Sequence, residues 1–216
     1  MSIEENISEI KKTLPKNITL IAVSKTKSVE FIDEAYNTGI RDFGENKVQE
    51  LIDKIDKLPN DINWHFIGHL QTNKVKYLVG KVSLIHSLDS VKLLNEIEKQ
   101  YKKNNLTANV LIEINIGKED SKSGIFVEHL DELISACETC EHVKVKGLMA
   151  IIPKGHENVC RKHFGQMKSI WDTLKSKSFN NLSMEYLSMG MTEDYELAIK
   201  EGSNMIRIGT GIFGLR

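Results

Sequence analysis

Two lysines stand where an apolar run ends. In "LIAVSKTKSVEF", residues 20–31, Lys25 and Lys27 follow a stretch with the composition of a buried strand, and desolvation at such a place opposes the charged ammonium. Either both side chains bend back to water, or one is a neutral amine, the form that attacks an aldehyde carbon. A cation such as Arg207, in "RIGTG", would push a neighbouring lysine further toward neutrality. That segment also carries Gly209, Thr210 and Gly211, and "SMGMTED" carries Ser188, Met189 and Gly190 ahead of a helical pattern. Backbone N–H groups and a hydroxyl of this kind can turn toward an oxyanion. Taken singly, each feature has a plainer reading, as a solvated lysine or a tight turn between a strand and a helix.

The elements that position these residues can be read from period and punctuation. Apolar runs of strand length begin at Ile18, Ile40, Asn63, Val82, Asn109, Val143, Met184 and Asn204. Between them lie single apolar helical faces, among them Val48, Leu51, Ile52 and Ile55, and Leu130, Leu133, Ile134 and Cys137. Ser28, Asp89 and Thr192 are expected N-caps, and Gly39 and Gly202 expected helix ends tolerant of positive φ. Eight strands that mostly alternate with helices predict an α/β fold, a closed (β/α)₈ TIM barrel, preceded by an extra N-terminal helix with Ile3, Ile7, Ile10 and Leu14 on one face. An open doubly wound sheet satisfies the same alternation, but no glycine-rich dinucleotide loop follows the first strand. No linker or charge block divides the chain, so one domain over residues 1–216 is expected.

In a barrel the chemistry sits at the C-terminal ends of the strands. Lys25 ends the first, Asn46 of "FGEN" the second, His65 and Gly68 of "WHFIGHLQTNK" the third, "SMGM" the seventh and "RIGTGIFG" the eighth. A lysine, a phosphate cradle and an arginine converging on one mouth describe a pyridoxal 5′-phosphate (PLP) site, with a Schiff base at one end and phosphate at the other. His65 alternates with Trp64 and Phe66 and reads equally as a hydrogen-bonded core histidine, while His69 could cap the next helix; neither is assigned as a base. "KGHENVCRKH", residues 154–163, reads as a solvated loop leading into a helix.

Composition narrows the class. Lys and Arg number 29 against 30 Asp and Glu, a net charge of −1, which marks no nucleic-acid or anionic-membrane binder. The acidic, amphipathic start is unlike a secretory signal and no run reaches the roughly 20 apolar residues of a membrane span, so a cytoplasmic protein is expected. Cys137, Cys140 and Cys160 are too few for a disulfide framework, and "CETC" has no second pair to complete a zinc site.

"AVSKTK", "FGENKVQE", "WHFIGHLQTNK", "INIGKEDSKSGI", "GLMAI", "LSMGMTEDYELAI" and "IRIGTGIFG" together closely resemble the YggS/PROSC family of pyridoxal phosphate homeostasis (PLP-binding) proteins, in the family's order from about residue 18 onward. The resemblance implies a barrel of the alanine racemase N-terminal-domain type that holds PLP without established catalysis. Carried over by motif, Lys25 is the Schiff-base lysine, Asn46 lies beside the ring, and Arg207 faces the pyridine nitrogen. Ser188, Gly190, Gly209 and Thr210 are expected around the phosphate, with His65, Gly68 and Met189 completing the cofactor-binding set.

Catalysis is argued against on two grounds. An arginine at the pyridine nitrogen keeps it unprotonated and weakens the electron sink. A racemase also needs an acid/base opposite the lysine, and the chain reaches "IFGLR" directly after the eighth strand, with its five tyrosines in contexts that do not obviously present one. The expected role is therefore to buffer PLP or deliver it to apo-enzymes, as a monomer. A small PLP-dependent racemase and a cofactor-free Schiff-base aldolase are the alternatives. Lys27 is left as a second acceptor, a charge tuning Lys25, or a solvated turn residue.

Overall fold

The computed structural model describes residues 2–119 and 121–214. Eight strands run in order around a closed, all-parallel barrel: β1 (Thr19–Val23), β2 (Asp42–Glu45), β3 (Asn63–Phe66), β4 (Leu84–Leu88), β5 (Ala108–Glu113), β6 (Val143–Met149), β7 (Leu182–Ser188) and β8 (Met205–Ile208). Parallel neighbours require crossovers. These are α2 (Val29–Asn37), α3 (Val48–Ile55), α4 (Val91–Lys103), α5 (Leu130–Glu138), α6 (Glu157–Lys175) and α7 (Tyr195–Lys200). They follow α1 (Ile3–Thr13), and α8 (Thr210–Phe213) follows the last strand.

All eight expected strands are present, within a few residues of their expected bounds. The expectation fails in smaller places. After β3 the chain makes a 3₁₀ helix, Thr72–Tyr77, instead of an α-helix. α6 begins at Glu157, so most of the presumed loop at 154–163 is helix and Cys160 is buried in it. The α4 cap is Ser90, whose hydroxyl accepts from the Leu93 N–H, one residue beyond Asp89. Asp194, not Thr192, precedes α7. Gly39 and Gly202 do take positive φ, +88° and +99°, at helix ends.

Period-two alternation sorts the strand residues. One face packs against the helices in a continuous core that includes Phe43, Phe66, Ile85, Val110 and Val145. A separate cluster of Ile21, Leu84, Leu111, Met149 and Met205 fills the barrel interior, as expected of a packed barrel rather than a pore. Gly147, at a register shift between β6 and β7, is required by close approach: with φ +147°, an added Cβ would lie 1.8 Å from the Tyr186 carbonyl oxygen.

The seams differ in kind. β1 and β8 pair over four residues, Thr19 to Ala22 with Met205 to Ile208. β7 and β8 share a single register pair, Ser188 with Met205. Backbone bonds extend the seam, from the Asn204 N–H to the Leu187 carbonyl at 3.3 Å, the Met189 N–H to the Met205 carbonyl at 3.1 Å and the Arg207 N–H to the Gly190 carbonyl at 3.0 Å. Side chains reinforce it: Asn204 Oδ1 accepts from the Leu187 N–H at 2.7 Å, Asn204 Nδ2 donates to the Glu185 carbonyl at 2.7 Å, and the Ser203 hydroxyl donates to the Met189 carbonyl at 2.7 Å. α1 is fixed to the other end of the chain by Asn6 Nδ2, which donates to the Ile212 carbonyl at 2.9 Å.

Candidate functional site

A cavity of about 1220 Å³ opens at the C-terminal ends of the strands. Lys25, Asn46, Arg207, Gly209 and Thr210 all line it, with Ile67, Ile151 and Ile152 as apolar wall and Thr192, Asp194 and Tyr195 from the β7–α7 side. Five of the ten sequence-predicted residues are thereby brought together. The other five, His65, Gly68, Ser188, Met189 and Gly190, sit behind the lining.

Lys25 is partly buried, two residues past β1. The turn that carries it is fixed from below. The Ser24 N–H donates to the Gly44 carbonyl at 3.0 Å, and the Ser24 hydroxyl donates to Glu45 Oε1 at 2.7 Å. Buried Lys54 of α3 donates to the same Glu45 oxygen at 2.7 Å. Burial raises the Glu45 carboxyl above its ordinary range, opposed by hydrogen bonds from Lys54 and Ser24. Lys27 leaves the cavity: its ammonium donates to the Phe213 carbonyl at 3.1 Å, at the end of α8.

Asn46 owes its position to Gly68. An added Cβ on Gly68 would lie 2.2 Å from the Asn46 carbonyl oxygen, so only glycine lets these two strand ends meet. Asn46 Oδ1 is buried with no hydrogen-bond partner among the described residues. Gly190, at φ +99°, packs where a Cβ would come 2.7 Å from Ala198 Cβ, and its carbonyl accepts from the Arg207 N–H at 3.0 Å. Met189 is fully buried and faces the outer core. Opposite them the Thr192 and Thr210 hydroxyls lie 3.2 Å apart, and the Gly211 N–H donates to Thr192 Oγ1 at 3.2 Å.

Arg207 is 3 % exposed. Its Nη1 donates to Ser188 Oγ at 2.7 Å and its Nη2 to the Ala150 carbonyl at 3.0 Å. Burial pulls its guanidinium down to about 10, opposed by the carboxylates of Glu113 and Asp194, so it stays a cation at neutral pH. Burial pushes Glu113 up to about 7, with the Asp89 charge adding and Arg207 opposing. His86, on β4 and absent from the sequence-derived set, is fully buried and bridges Ser188 to His65. Burial, then the charges of His65 and Arg207, hold its imidazolium well below the usual histidine range. Inward alternation from Leu84 was the signal for it. Cys137, of "CETC", is buried in α5, and its thiol is pushed up to about 12 by burial.

A closed parallel barrel with a lysine after its first strand and a buried arginine in its eighth, facing one cavity, is the architecture of the alanine-racemase-type barrels. Residues 1–216 match the family described as "Alanine racemase, N-terminal domain". A protein of Aquifex aeolicus named "Pyridoxal phosphate homeostasis protein" is 48% identical over 200 residues, 91% of this chain and 86% of the relative. The structure of PipY from Synechococcus elongatus without PLP superposes with a TM-score of 0.93 at 33% identity, covering 99% of this chain and 100% of that one. The PLP-bound PipY structure gives 0.90 with the same coverage. Alanine racemase of Clostridium difficile shares the fold, with a TM-score of 0.81 at 14% identity; all of this chain covers 57% of that one. The chain belongs to the pyridoxal phosphate homeostasis protein family.

Proposed function

We propose that the protein holds pyridoxal 5′-phosphate on Lys25 in the barrel mouth and keeps it available to apo-enzymes, without a reaction of its own. The observation that carries this reading is the convergence of Lys25, Asn46, Arg207, Gly209 and Thr210 on one cavity. When bound, the cofactor supplies an aldehyde, an electron-withdrawing ring and a phosphate dianion. The residues fit those three parts. The Lys25 amine is the covalent anchor, and the buried orphan acceptor Asn46 Oδ1 suits a donor at the ring edge. Arg207, an obligate donor, suits the ring nitrogen. Gly209, Thr210 and Thr192 border the phosphate end. Ser188, Met189, Gly190, His65 and Gly68 serve the site by holding those residues in place.

Names and structures of relatives support the same role: the Aquifex protein is named for PLP homeostasis, and PipY has a PLP-bound structure. We place the protein in the cytoplasm as a monomer; no helix among the described residues is long and apolar enough to cross a membrane. Borohydride reduction of the PLP-reconstituted protein should add one cofactor mass at Lys25, and Lys25→Ala should add none. An unmodified wild-type protein overturns the reading.

One observation favours a second reading. Tyr195 lines the cavity, contrary to the expectation that no tyrosine is presented there. Its hydroxyl donates to Glu196 Oε1 over 3.4 Å, a long hydrogen bond. Solvent deuterium exchange at the α-carbon of alanine separates the readings: a PLP carrier leaves it at the background rate, whereas a racemase accelerates it.

A further inference from the structure

We infer that Ser188, His86 and His65 form one directed hydrogen-bond line that holds the ring-facing guanidinium of Arg207 from the opposite mouth of the barrel. The inference rests on the PLP site proposed above; it adds His86 to it and joins Ser188 and His65 into one line. The line runs Arg207 Nη1 to Ser188 Oγ (2.7 Å), Ser188 Oγ to His86 Nδ1 (3.3 Å), His86 Nε2 to His65 Nδ1 (3.0 Å) and His65 Nε2 to Asp42 Oδ1 (3.1 Å). Its middle is dry: Ser188 and His86 are 0 % exposed and His65 is 4 % exposed. Asp42, at the start of β2, is the partly exposed end.

The two ends fix the direction. Arginine can only donate and a carboxylate can only accept. Ser188 receives from Arg207, and because its fully buried hydroxyl has no other acceptor in reach among the described residues, it passes its own proton to His86 Nδ1. His86 must then carry its proton on Nε2 and give it to His65 Nδ1, and His65 must carry its own on Nε2 and give it to Asp42. Every link, with the Ser188 hydroxyl proton counted among them, is satisfied only when both imidazoles are neutral Nε2–H tautomers. An added proton would set donor against donor inside a buried core, where an unmatched polar group is costly.

Such a line has work to do at Arg207. The carboxyls of Glu113 on β5 and Asp194 before α7 both act on the guanidinium, and either could draw it away from the ring. Ser188 and the Ala150 carbonyl take up two of its N–H groups, and the histidines make Ser188 an acceptor by engaging its proton. His86 also resists the charge that would repel Arg207, because burial and the Arg207 guanidinium itself oppose its protonation.

Histidine nitrogen NMR of the cofactor-free protein at neutral pH should show His65 and His86 as neutral Nε2–H tautomers. PLP release from the reconstituted protein should quicken roughly tenfold in Ser188→Ala, from the lost charge-assisted hydrogen bond, and about threefold in Asp42→Ala. Asp42→Asn, which keeps an acceptor oxygen, should release PLP as the wild type does. Asp42 lies at the partly exposed end, so these variants test the line even if His86→Leu does not fold. A charged or Nδ1–H imidazole, or Asp42→Ala behaving as wild type, overturns the line while leaving the PLP site standing. A wild-type protein that takes up no PLP overturns the site, and the positioning role falls with it.

Discussion

Lys54 of α3 reaches the carbonyl of Ser24, 3.0 Å away, directly before Lys25 in the chain. Its ion-pair partner Glu50, 2.7 Å from the same ammonium, accepts from the N–H of Thr26 at 2.5 Å, directly after Lys25. A single i,i+4 pair thus clamps the peptides on both sides of the proposed anchor. It also holds Thr26 at φ +66°, a conformation a β-branched residue otherwise avoids.

Lys54→Met removes the cation and leaves Glu45 and Glu50 with no ammonium between them. Breaking a buried pair from one side costs about 3 kcal/mol or more, readable as a fall in urea midpoint at constant m-value. Adding Glu45→Gln should recover part of that loss. PLP capture at Lys25 should slow in both variants, because the turn is no longer held.

Gly68→Ala should cost more than about 2 kcal/mol, since the new Cβ meets backbone and cannot be relieved by a rotamer change. It should also weaken PLP retention by displacing Asn46. Gly165→Ala is the contrast. Gly165 lies within α6 with only Glu201 Oε2, at 3.9 Å, near its added Cβ, and the exchange should stabilise the protein by about 0.5–1 kcal/mol. Thermal melts of the two variants should move in opposite directions.

Glu113 gives the cofactor-free protein a pH dependence of definite sign. Its folded pKa, about 7, stands above the ordinary 4.5, so the native state binds the extra proton between those values. Its contribution is full below about 4.5 and is lost as pH rises through about 7. The loss is about 3 kcal/mol at most. Glu113→Gln should flatten this part of the profile in denaturation measured from pH 5 to 8, leaving stability near that of the acidic wild type.

Lys27→Ala should leave the borohydride adduct on Lys25 unchanged, because Lys27 serves the carbonyls at the end of α8. The expected stability loss is under about 1 kcal/mol. An adduct reduced by more than half would return Lys27 to the site.

The strands were legible because each is a short apolar run followed by a helical stripe, and Lys25 was legible because a cation interrupts such a run. Ser188, His86 and Lys54 were harder for one shared reason: each is polar, and its inward direction depends on neighbours far along the chain. Ser188 read as a phosphate hydroxyl, and its contacts with Arg207 and His86 could not be read from its motif. Lys54 lies outside the apolar stripe of Val48, Leu51, Ile52 and Ile55, and only Glu45 and Ser24, beneath α3, make its burial favourable. Capping residues shifted by one or two positions, because Ser90 and Asp89, or Thr192 and Asp194, offer comparable oxygens and tertiary packing selects between them.

The junction of β7 with β8, where a single register pair and three further backbone bonds are reinforced by Ser203 and Asn204, makes the barrel mechanically asymmetric. The seam where the chain's two ends meet carries a regular peptide ladder, while the soft joint lies next door, between strands only a short crossover apart. Opening should therefore start beside Arg207 and Ser188, with the amide of Leu187, which bonds the Asn204 side chain instead of a strand carbonyl, the first of the barrel's to exchange with solvent.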